Sequence, residues 1–144
     1  MKIKIIVVGK VKDRAYREKI EDYAGRVGHD ARLEIVEVRD SGREEEGRKI
    51  LDHLQGKQGH VIALDERGSL VSSTAFARKL SAVSQKIVFV IGGPDGLADD
   101  VKKNARECIA LSPLTFTHEI ARLLLLEQIY RAISIIKNRK YHRE

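Results

Sequence analysis

The sequence contains very little cysteine, proline or tryptophan. Cys108 is the only cysteine in 144 residues, and tryptophan is absent. A single cysteine cannot form a disulfide within the chain, which argues against a disulfide-stabilised secreted fold and favours a reducing compartment. The histidines, at positions 29, 53, 60, 118 and 142, show no metal-ligand spacing. We therefore expect no metal site and a cytoplasmic protein.

Long apolar runs are also missing. No stretch approaches the length of a membrane span, and the apolar residues 3–8 include Lys4, which makes them too short and too β-branched for a signal peptide. What is present is a chain of one-domain size, 1–144, in which 42% of residues are hydrophobic. That composition supports an ordinary hydrophobic core.

Positive charge is in excess. The net charge is +6, and the last eight residues, KNRKYHRE, hold four lysines and arginines. A basic chain favours an anionic partner such as RNA. Solubility alone is an equally good explanation at this magnitude.

β-branched apolar runs alternate with segments of helical periodicity. The pattern predicts strands at 3–8, 33–38, 60–64, 87–91 and 108–111, and helices at 14–27, 44–54, 73–82, 99–106 and 117–137. Asp13, Ser72 or Ser73, and Thr117 are the predicted N-caps. Such alternation is typical of an α/β fold with a parallel sheet covered on both faces. Strands three and four are the most continuously apolar of the five, so we place them in the centre.

The final helix is apolar around most of its circumference. Ala121, Leu125, Ile129, Ala132 and Ile136 form one stripe, and further apolar residues, among them Leu123, Leu124 and Tyr130, fall outside it. Such a helix must be buried on most sides. It either packs against a second copy in a homodimer, which we favour, or lies wedged between elements of one monomer. Glu127 and Arg131 are spaced for an i,i+4 ion pair.

The segment IGGPDGL, residues 91–97, follows a central strand and resembles a phosphate loop. It lacks the lysine of such loops, and Asp95 would repel a phosphate. Glycines still allow a flat purine or a ribose to approach the backbone. A simple tight turn explains the loop equally well.

Two further loops are predicted at the same edge of the sheet, where open α/β folds bind ligands. LDERG places Asp65 after strand three, but no acidic pair or lysine supports a phosphoacceptor site, and a charged turn explains Glu66 and Arg67. LSPLTFTHE, residues 111–119, offers hydroxyls, backbone and an aromatic ring. His118 can act as an acid or base, although a capping or surface role is the simpler explanation.

Taken together, the motifs LDERG, FVIGGPDGL, LSPLTFTHEIARLLLLEQIYRA and the terminal YHRE resemble the RlmH family of SPOUT-class methyltransferases, which methylate N3 of a pseudouridine in bacterial 23S ribosomal RNA. The resemblance is collinear and covers essentially the whole chain. It implies S-adenosylmethionine as cofactor, a homodimer through the C-terminal helix, a deep C-terminal trefoil knot, and a ribosomal RNA target within the ribosome.

The resemblance also implies site residues. The cofactor pocket carries over onto Leu64, Gly93, Ser112, Pro113, Leu114, Thr115, Phe116 and Thr117, and the catalytic tail onto Tyr141, His142 and Arg143. His142 is the expected base, Arg143 a charge stabiliser or phosphate ligand, and Tyr141 a stacking ring. The family usually has a proline just before Tyr-His, whereas this chain has Lys140, so we expect a looser tail. A non-catalytic nucleotide- or RNA-binding module on the same scaffold is the alternative function.

Overall fold

The computed structural model describes residues 1–56 and 59–143. Strands and helices alternate along the described chain in the predicted order. The elements are β1 (Lys2–Val8), α1 (Arg14–Gly28), β2 (Arg32–Val38), α2 (Arg43–Leu54), β3 (His60–Leu70), α3 (Ser73–Ala82), β4 (Ile87–Ile91), α4 (Asp99–Asn104), β5 (Glu107–Ala110) and α5 (His118–Ile136).

All strand pairs between these elements are parallel, and the sheet order is β2-β1-β4-β3-β5. The sheet therefore confirms the predicted α/β class, with β4 at its centre and β3 beside it. β1 is equally internal, and every residue of it from Ile3 to Val8 is buried. β2 lies at an edge, where its alternation of apolar and acidic residues leaves one face partly in water, as predicted.

Successive side chains of each strand point to opposite faces of the sheet and pack into two separate hydrophobic cores. Ile3, Ile5 and Val7 of β1 pack with α1, α3 and α5, whereas Ile6 and Val8 pack with α2 and α4. This division follows from the two-residue period of a strand. Helices therefore cover both faces of the sheet, and the loops gather at its two ends.

The helix starts follow local hydrogen-bonding chemistry. The side chains of Asp13, Ser72 and Thr117 accept backbone N–H bonds in the first turns of α1, α3 and α5 respectively. Each satisfies one of the donors that a helix start leaves without an intrahelical partner. The three predicted caps are confirmed, with Ser72 rather than Ser73 capping α3.

β3 is longer than the sequence predicts. It continues from Leu64 to Leu70, because β5 pairs with it again after an irregular stretch between Leu64 and Ser69. Glu66 and Arg67 therefore belong to a strand, and the interpretation of them as a charged turn is wrong. Gly68 allows this second pairing: a Cβ there would lie 2.7 Å from a backbone carbon of Ile109.

The long helix α5 lies between α1 and α3 against the sheet. This arrangement buries Leu125, Ile129 and Ala132 within one chain. The wedged position within one chain thus accounts for most of the apolar surface of α5, including Leu123 and Tyr130, which pack partly buried against the same core. Leu124 and Ile136 stay 36% and 37% exposed. Among the described helices, none combines the length and apolar character that crossing a membrane requires.

Candidate active site

A cavity of about 420 Å³ opens at the carboxyl ends of β4 and β5, beside the irregular stretch of β3 that follows Leu64. The segments after Ile91 and Ala110 line it as loops, as predicted, whereas the segment after Leu64 lines it as part of β3. The structure brings six of the eight predicted pocket residues to this cavity: Leu64, Gly93, Ser112, Leu114, Thr115 and Phe116. Pro113 and Thr117 are not in its lining, and the Thr117 side chain caps α5 instead.

The glycine loop is a tight turn that also forms a wall of the cavity. Gly96 N–H donates to the Gly93 carbonyl at 3.0 Å, and Gly96 has a φ of +79°. A Cβ on Gly92 would lie 2.8 Å from the Gly96 carbonyl carbon, so the turn cannot close around a larger residue. A Cβ on Gly93 would meet Val8 at 2.9 Å. The compactness of the loop therefore requires both glycines, apart from any ligand.

Asp65 lies at the cavity wall beside a lysine. Lys102 Nζ is 2.9 Å from one carboxylate oxygen, and Arg67 N–H donates to the other at 3.2 Å. Burial opposes ionisation of this carboxyl, but the Lys102 hydrogen bond and the Arg67 contacts outweigh it and lower the pKa of Asp65. Asp65 is therefore ionised at neutral pH with hydrogen-bond partners on both carboxylate oxygens, and it is a poor proton acceptor.

The loop between β5 and α5 is fastened to β3. The Thr115 hydroxyl donates to the Glu66 carboxylate, and Leu114 N–H donates to the Ser112 hydroxyl at 3.0 Å. Leu114 itself is 69% exposed over the cavity. The loop thus presents an apolar side chain to a ligand while its backbone is held in place.

The sequence did not indicate two residues at or beneath the cavity wall, Arg43 and Glu46. Glu46 in the first turns of α2 is 2% exposed and accepts the N–H groups of Ser41 and Gly42 at 2.9 and 2.8 Å. It lies directly beneath Gly93. Arg43 lines the cavity and donates to the Leu97 carbonyl at 3.1 Å. The pattern of acidic residues after Gly42 fits a charged helix face, so only the fold distinguishes Glu46 from its neighbours.

His118, at the start of α5, also lines the cavity. Its ring packs against Gly9 at the end of β1, and its buried Nδ1 has no hydrogen-bond partner among the described residues. The neighbouring Glu119 accepts the N–H groups of Lys12 and Asp13 and so joins α5 to the segment after β1. The imidazole thus couples the start of α5 to the end of β1 at the cavity.

Arg122, one turn further along α5, is 3% exposed. Its guanidinium donates to Glu37 at 2.8 Å and to the Gly9 carbonyl at 2.9 Å. Arg122 therefore ties α5 to the ends of β1 and β2 within one chain.

The predicted catalytic tail lies away from the cavity of its own chain. The Tyr141 hydroxyl donates to Glu127 at 3.0 Å, and its oxygen lies 3.0 Å from the Tyr23 hydroxyl. His142 Nδ1 is 3.2 Å from Arg131; since a guanidinium only donates, Nδ1 accepts. Arg131 is ten residues beyond the cavity residue Ala121, which corresponds to about 15 Å along a helix.

Tyr141 is held in a polar and aromatic cluster. Its ring meets Tyr130 edge-on with centroids 4.7 Å apart, and Arg131 lies over it. Burial, followed by the bonds to Tyr23 and Glu127, raises the pKa of Tyr141 above its ordinary value. Tyr141 is therefore a neutral phenol at physiological pH, suited to stacking and donation rather than to proton removal. The predicted Glu127–Arg131 pair is confirmed at 2.6 Å.

Comparison with known proteins agrees with this geometry. The family model described as "Predicted SPOUT methyltransferase" matches residues 1–142. Two proteins named ribosomal RNA large subunit methyltransferase H are similar over nearly their whole length. That of Parasynechococcus marenigrum is 44% identical, covering 97% of this chain and 95% of the relative. That of Geobacter sulfurreducens is 42% identical, covering 99% of each.

A solved structure of a probable methylase family protein from Haemophilus influenzae has the same fold, with a TM-score of 0.66. It is 15% identical, and the match covers 99% of this chain and 70% of that one. At that identity the likeness concerns the fold alone. The relatives named above carry the functional similarity.

Proposed function

Because this chain belongs to the RlmH family of SPOUT methyltransferases, it is a ribosomal RNA methyltransferase, and we propose that it methylates N3 of a pseudouridine in 23S RNA. The observation that supports the proposal is the cavity, whose lining includes six of the eight pocket residues that the family resemblance implies. The assembled ribosome is the proposed target, since one small domain offers few phosphate contacts of its own. That target places the enzyme in the cytoplasm.

The cavity fits S-adenosylmethionine as the methyl donor. Its volume of about 420 Å³ lies within the roughly 300–1,000 Å³ typical of small-molecule pockets. Backbone of the glycine loop and the side chains of Leu64, Leu114 and Phe116 offer flat apolar walls for an adenine. The cofactor supplies an electrophilic methyl group. The glycine loop lacks a lysine, which suits a nucleoside better than a polyphosphate.

A homodimer with a composite site explains why the tail is remote from its own cavity. The tail is anchored at Glu127 and Arg131, about 9 and 15 Å along α5 from Ala121. Tyr141, His142 and Arg143 are absent from the described cavity lining, so we propose that they act at the cavity of a partner subunit. The exposed Leu124 supports such an interface, because it borders an apolar-lined groove of about 200 Å³ between α3 and α5. The deep C-terminal knot of the family is part of the same proposal.

The chemistry then requires alignment and removal of one proton. Holding the pseudouridine ring against the methyl group can lower the activation barrier by about 7–11 kcal/mol in ideal cases. His142 is the proposed base, and in this chain its Nδ1 lies 3.2 Å from Arg131 Nη1. Arg143 stabilises the negative charge that develops on the carbonyl oxygens of the pseudouridine ring. Tyr141, as a neutral phenol, stacks on the nucleotide.

Transfer of labelled methyl from S-adenosylmethionine to ribosomes that lack the modification tests the function. We expect label in 23S RNA, much less label in free RNA, and loss of labelling when His142→Ala is used. Absence of transfer to both substrates would refute the proposed reaction. Full single-turnover labelling by His142→Ala would refute the assignment of the base.

Mixing two inactive variants tests the composite site. Leu114→Asp alters an exposed cavity residue, and His142→Ala alters the tail. In a homodimer that exchanges subunits, the mixed dimer contains one intact cavity facing one intact tail. We therefore expect the mixture to recover up to about half of the activity per mixed dimer. No recovery, despite exchange shown by mass spectrometry, would place each tail at its own cavity.

A further inference from the structure

The C-terminal tail leaves α5 through a specific helix-ending motif. Arg139 N–H donates to the Ser134 carbonyl at 2.8 Å and Asn138 N–H to the Ile135 carbonyl at 3.1 Å. Asn138 has a φ of +56°, the only positive φ of a non-glycine residue in the described chain. These are the two bonds and the left-handed residue of a Schellman motif. The motif reverses the chain and points the Arg139 side chain back towards α1.

Asp30, in the turn between α1 and β2, receives that side chain. Both terminal nitrogens of Arg139 donate to its carboxylate, each at 2.7 Å, and Lys137 donates at 3.2 Å. The Asp30 side chain is only 7% exposed, whereas those of Arg139 and Lys137 are 43% and 48% exposed. A carboxylate this buried, with a forked guanidinium on both oxygens, gives a fixed direction as well as an attraction.

We propose that Asp30 is a positioning residue for the tail, which it orients by gripping Arg139 so that Tyr141, His142 and Arg143 are presented in one direction. The inference rests on the proposed function, in which the tail completes an active site. It reverses the expectation that a chain without proline before Tyr141 has a loose tail. The tail is ordered by the ion pair between Asp30 and Arg139, which we call the clamp, rather than by a restricted backbone.

The clamp acts on the tail through short connections. Two residues after Arg139, Tyr141 N–H donates to the Arg139 carbonyl at 3.0 Å. The Tyr141 ring then enters the cluster of Tyr23, Tyr130 and Glu127. The tail is therefore held at two points, by Asp30 in the turn after α1 and by Tyr23 in α1, and loss of the first leaves the contacts of the Tyr141 ring and hydroxyl.

Four variants of the chain separate orientation from charge. Asp30→Asn raises the net charge by one and Arg139→Gln lowers it by one, yet both break the clamp. Lys140→Gln is the matched control, because it removes one exposed charge next to the clamp. The combined change Asp30→Arg with Arg139→Asp restores the pair in reverse. All are compared for methyl transfer to ribosomes, cofactor affinity by calorimetry, and hydrogen exchange of peptide 137–143.

We expect Asp30→Asn and Arg139→Gln to lower kcat at least tenfold, to leave the Kd for S-adenosylmethionine within twofold, and to speed exchange in the tail. Lys140→Gln should change none of these, and the reversed pair should recover part of kcat. Faster exchange with unchanged kcat and KM would overturn the positioning role. Unchanged exchange in both clamp variants would overturn the clamp itself, even if the wild type transferred no methyl group at all.

Discussion

The imidazole of His118 lies against the backbone of Gly9, so that a Cβ on Gly9 would stand 2.9 Å from His118 Cε1. Gly9 has a φ of +92°, a conformation that L side chains adopt only with strain. The end of β1 therefore needs a glycine for two separate reasons. One reason is the positive φ of the backbone, and the other is the close approach of the His118 ring at the start of α5.

Gly9→Ala should lower the free energy of unfolding by about 1–2 kcal/mol from the backbone conformation alone, with the His118 contact adding to it. A double-mutant cycle with His118→Ala, measured by urea denaturation, separates the two. In the His118→Ala background the cost of Gly9→Ala should fall to the backbone part. An equal cost in both backgrounds would mean that the ring moves aside freely.

Arg122→Met should destabilise the chain by about 2–3 kcal/mol, because it leaves the Gly9 carbonyl without its donor and breaks a nearly buried ion pair. Glu37, whose side chain is 39% exposed, can return to water, which limits the loss. Arg14→Met is the control, since the Arg14 side chain is 89% exposed in its pair with Glu18. Urea midpoints should show almost no change for the control, and comparable losses in both would contradict the buried role.

Leu114→Ala should weaken S-adenosylmethionine binding about fivefold, since an apolar contact worth about 1 kcal/mol is lost only in the complex. Stability should change by less than about 0.5 kcal/mol because the side chain is exposed. Leu70→Ala is the matched control, 63% exposed and outside the cavity lining. Isothermal calorimetry gives the affinities. Equal weakening by both variants would remove Leu114 from the binding site.

The stability that Asp30 contributes should depend on pH at the acidic end. Hydrogen bonding to Arg139, opposed by burial and supported by Lys137, holds the pKa of Asp30 far below its ordinary value. A carboxyl group whose pKa is lower in the folded chain than in the unfolded chain stabilises the fold while it is ionised. This stabilisation has its full value above the unfolded pKa of about 3.9 and decreases as the pH falls below that value. The Tm difference between wild type and Asp30→Asn should therefore be constant near neutrality and shrink below about pH 4. A difference that persists unchanged at lower pH would contradict ionisation as its source.

Lys10 and Lys12 should contact RNA phosphates beside the cavity. Both are exposed at the carboxyl edge of the sheet, where Glu119 fixes their loop, and neither forms an ion pair within the described residues. Ribosome binding weakens as salt rises, and the slope of the logarithm of the binding constant against the logarithm of the salt concentration measures this. The double change Lys10→Gln with Lys12→Gln should reduce the magnitude of that slope by about 1.5. The control, Lys2→Gln with Lys86→Gln at the opposite edge, removes equal charge and should leave that slope unchanged.

Local chemistry determined most of the elements directly from the sequence. Apolar periodicity and the capping side chains of Asp13, Ser72 and Thr117 placed the helix starts, because these interactions join residues two or three positions apart. The three loops were also predicted to meet at one edge, since parallel strands end together. Four motifs in collinear order carried the family resemblance, which the comparisons confirm.

Tertiary structure alone decided what depends on distant residues. β3 extends to Leu70 because β5 returns to pair with it, and Arg122 is structural because Glu37 and Gly9 lie beside it in space. Asp30 and Arg139 are 109 positions apart, so no local pattern connects them. Glu46 and its acidic neighbours are alike in sequence, and only the packing of the glycine loop buries one of them. Short-range bonding is encoded residue by residue, whereas burial and long-range pairing arise only when the whole chain has folded.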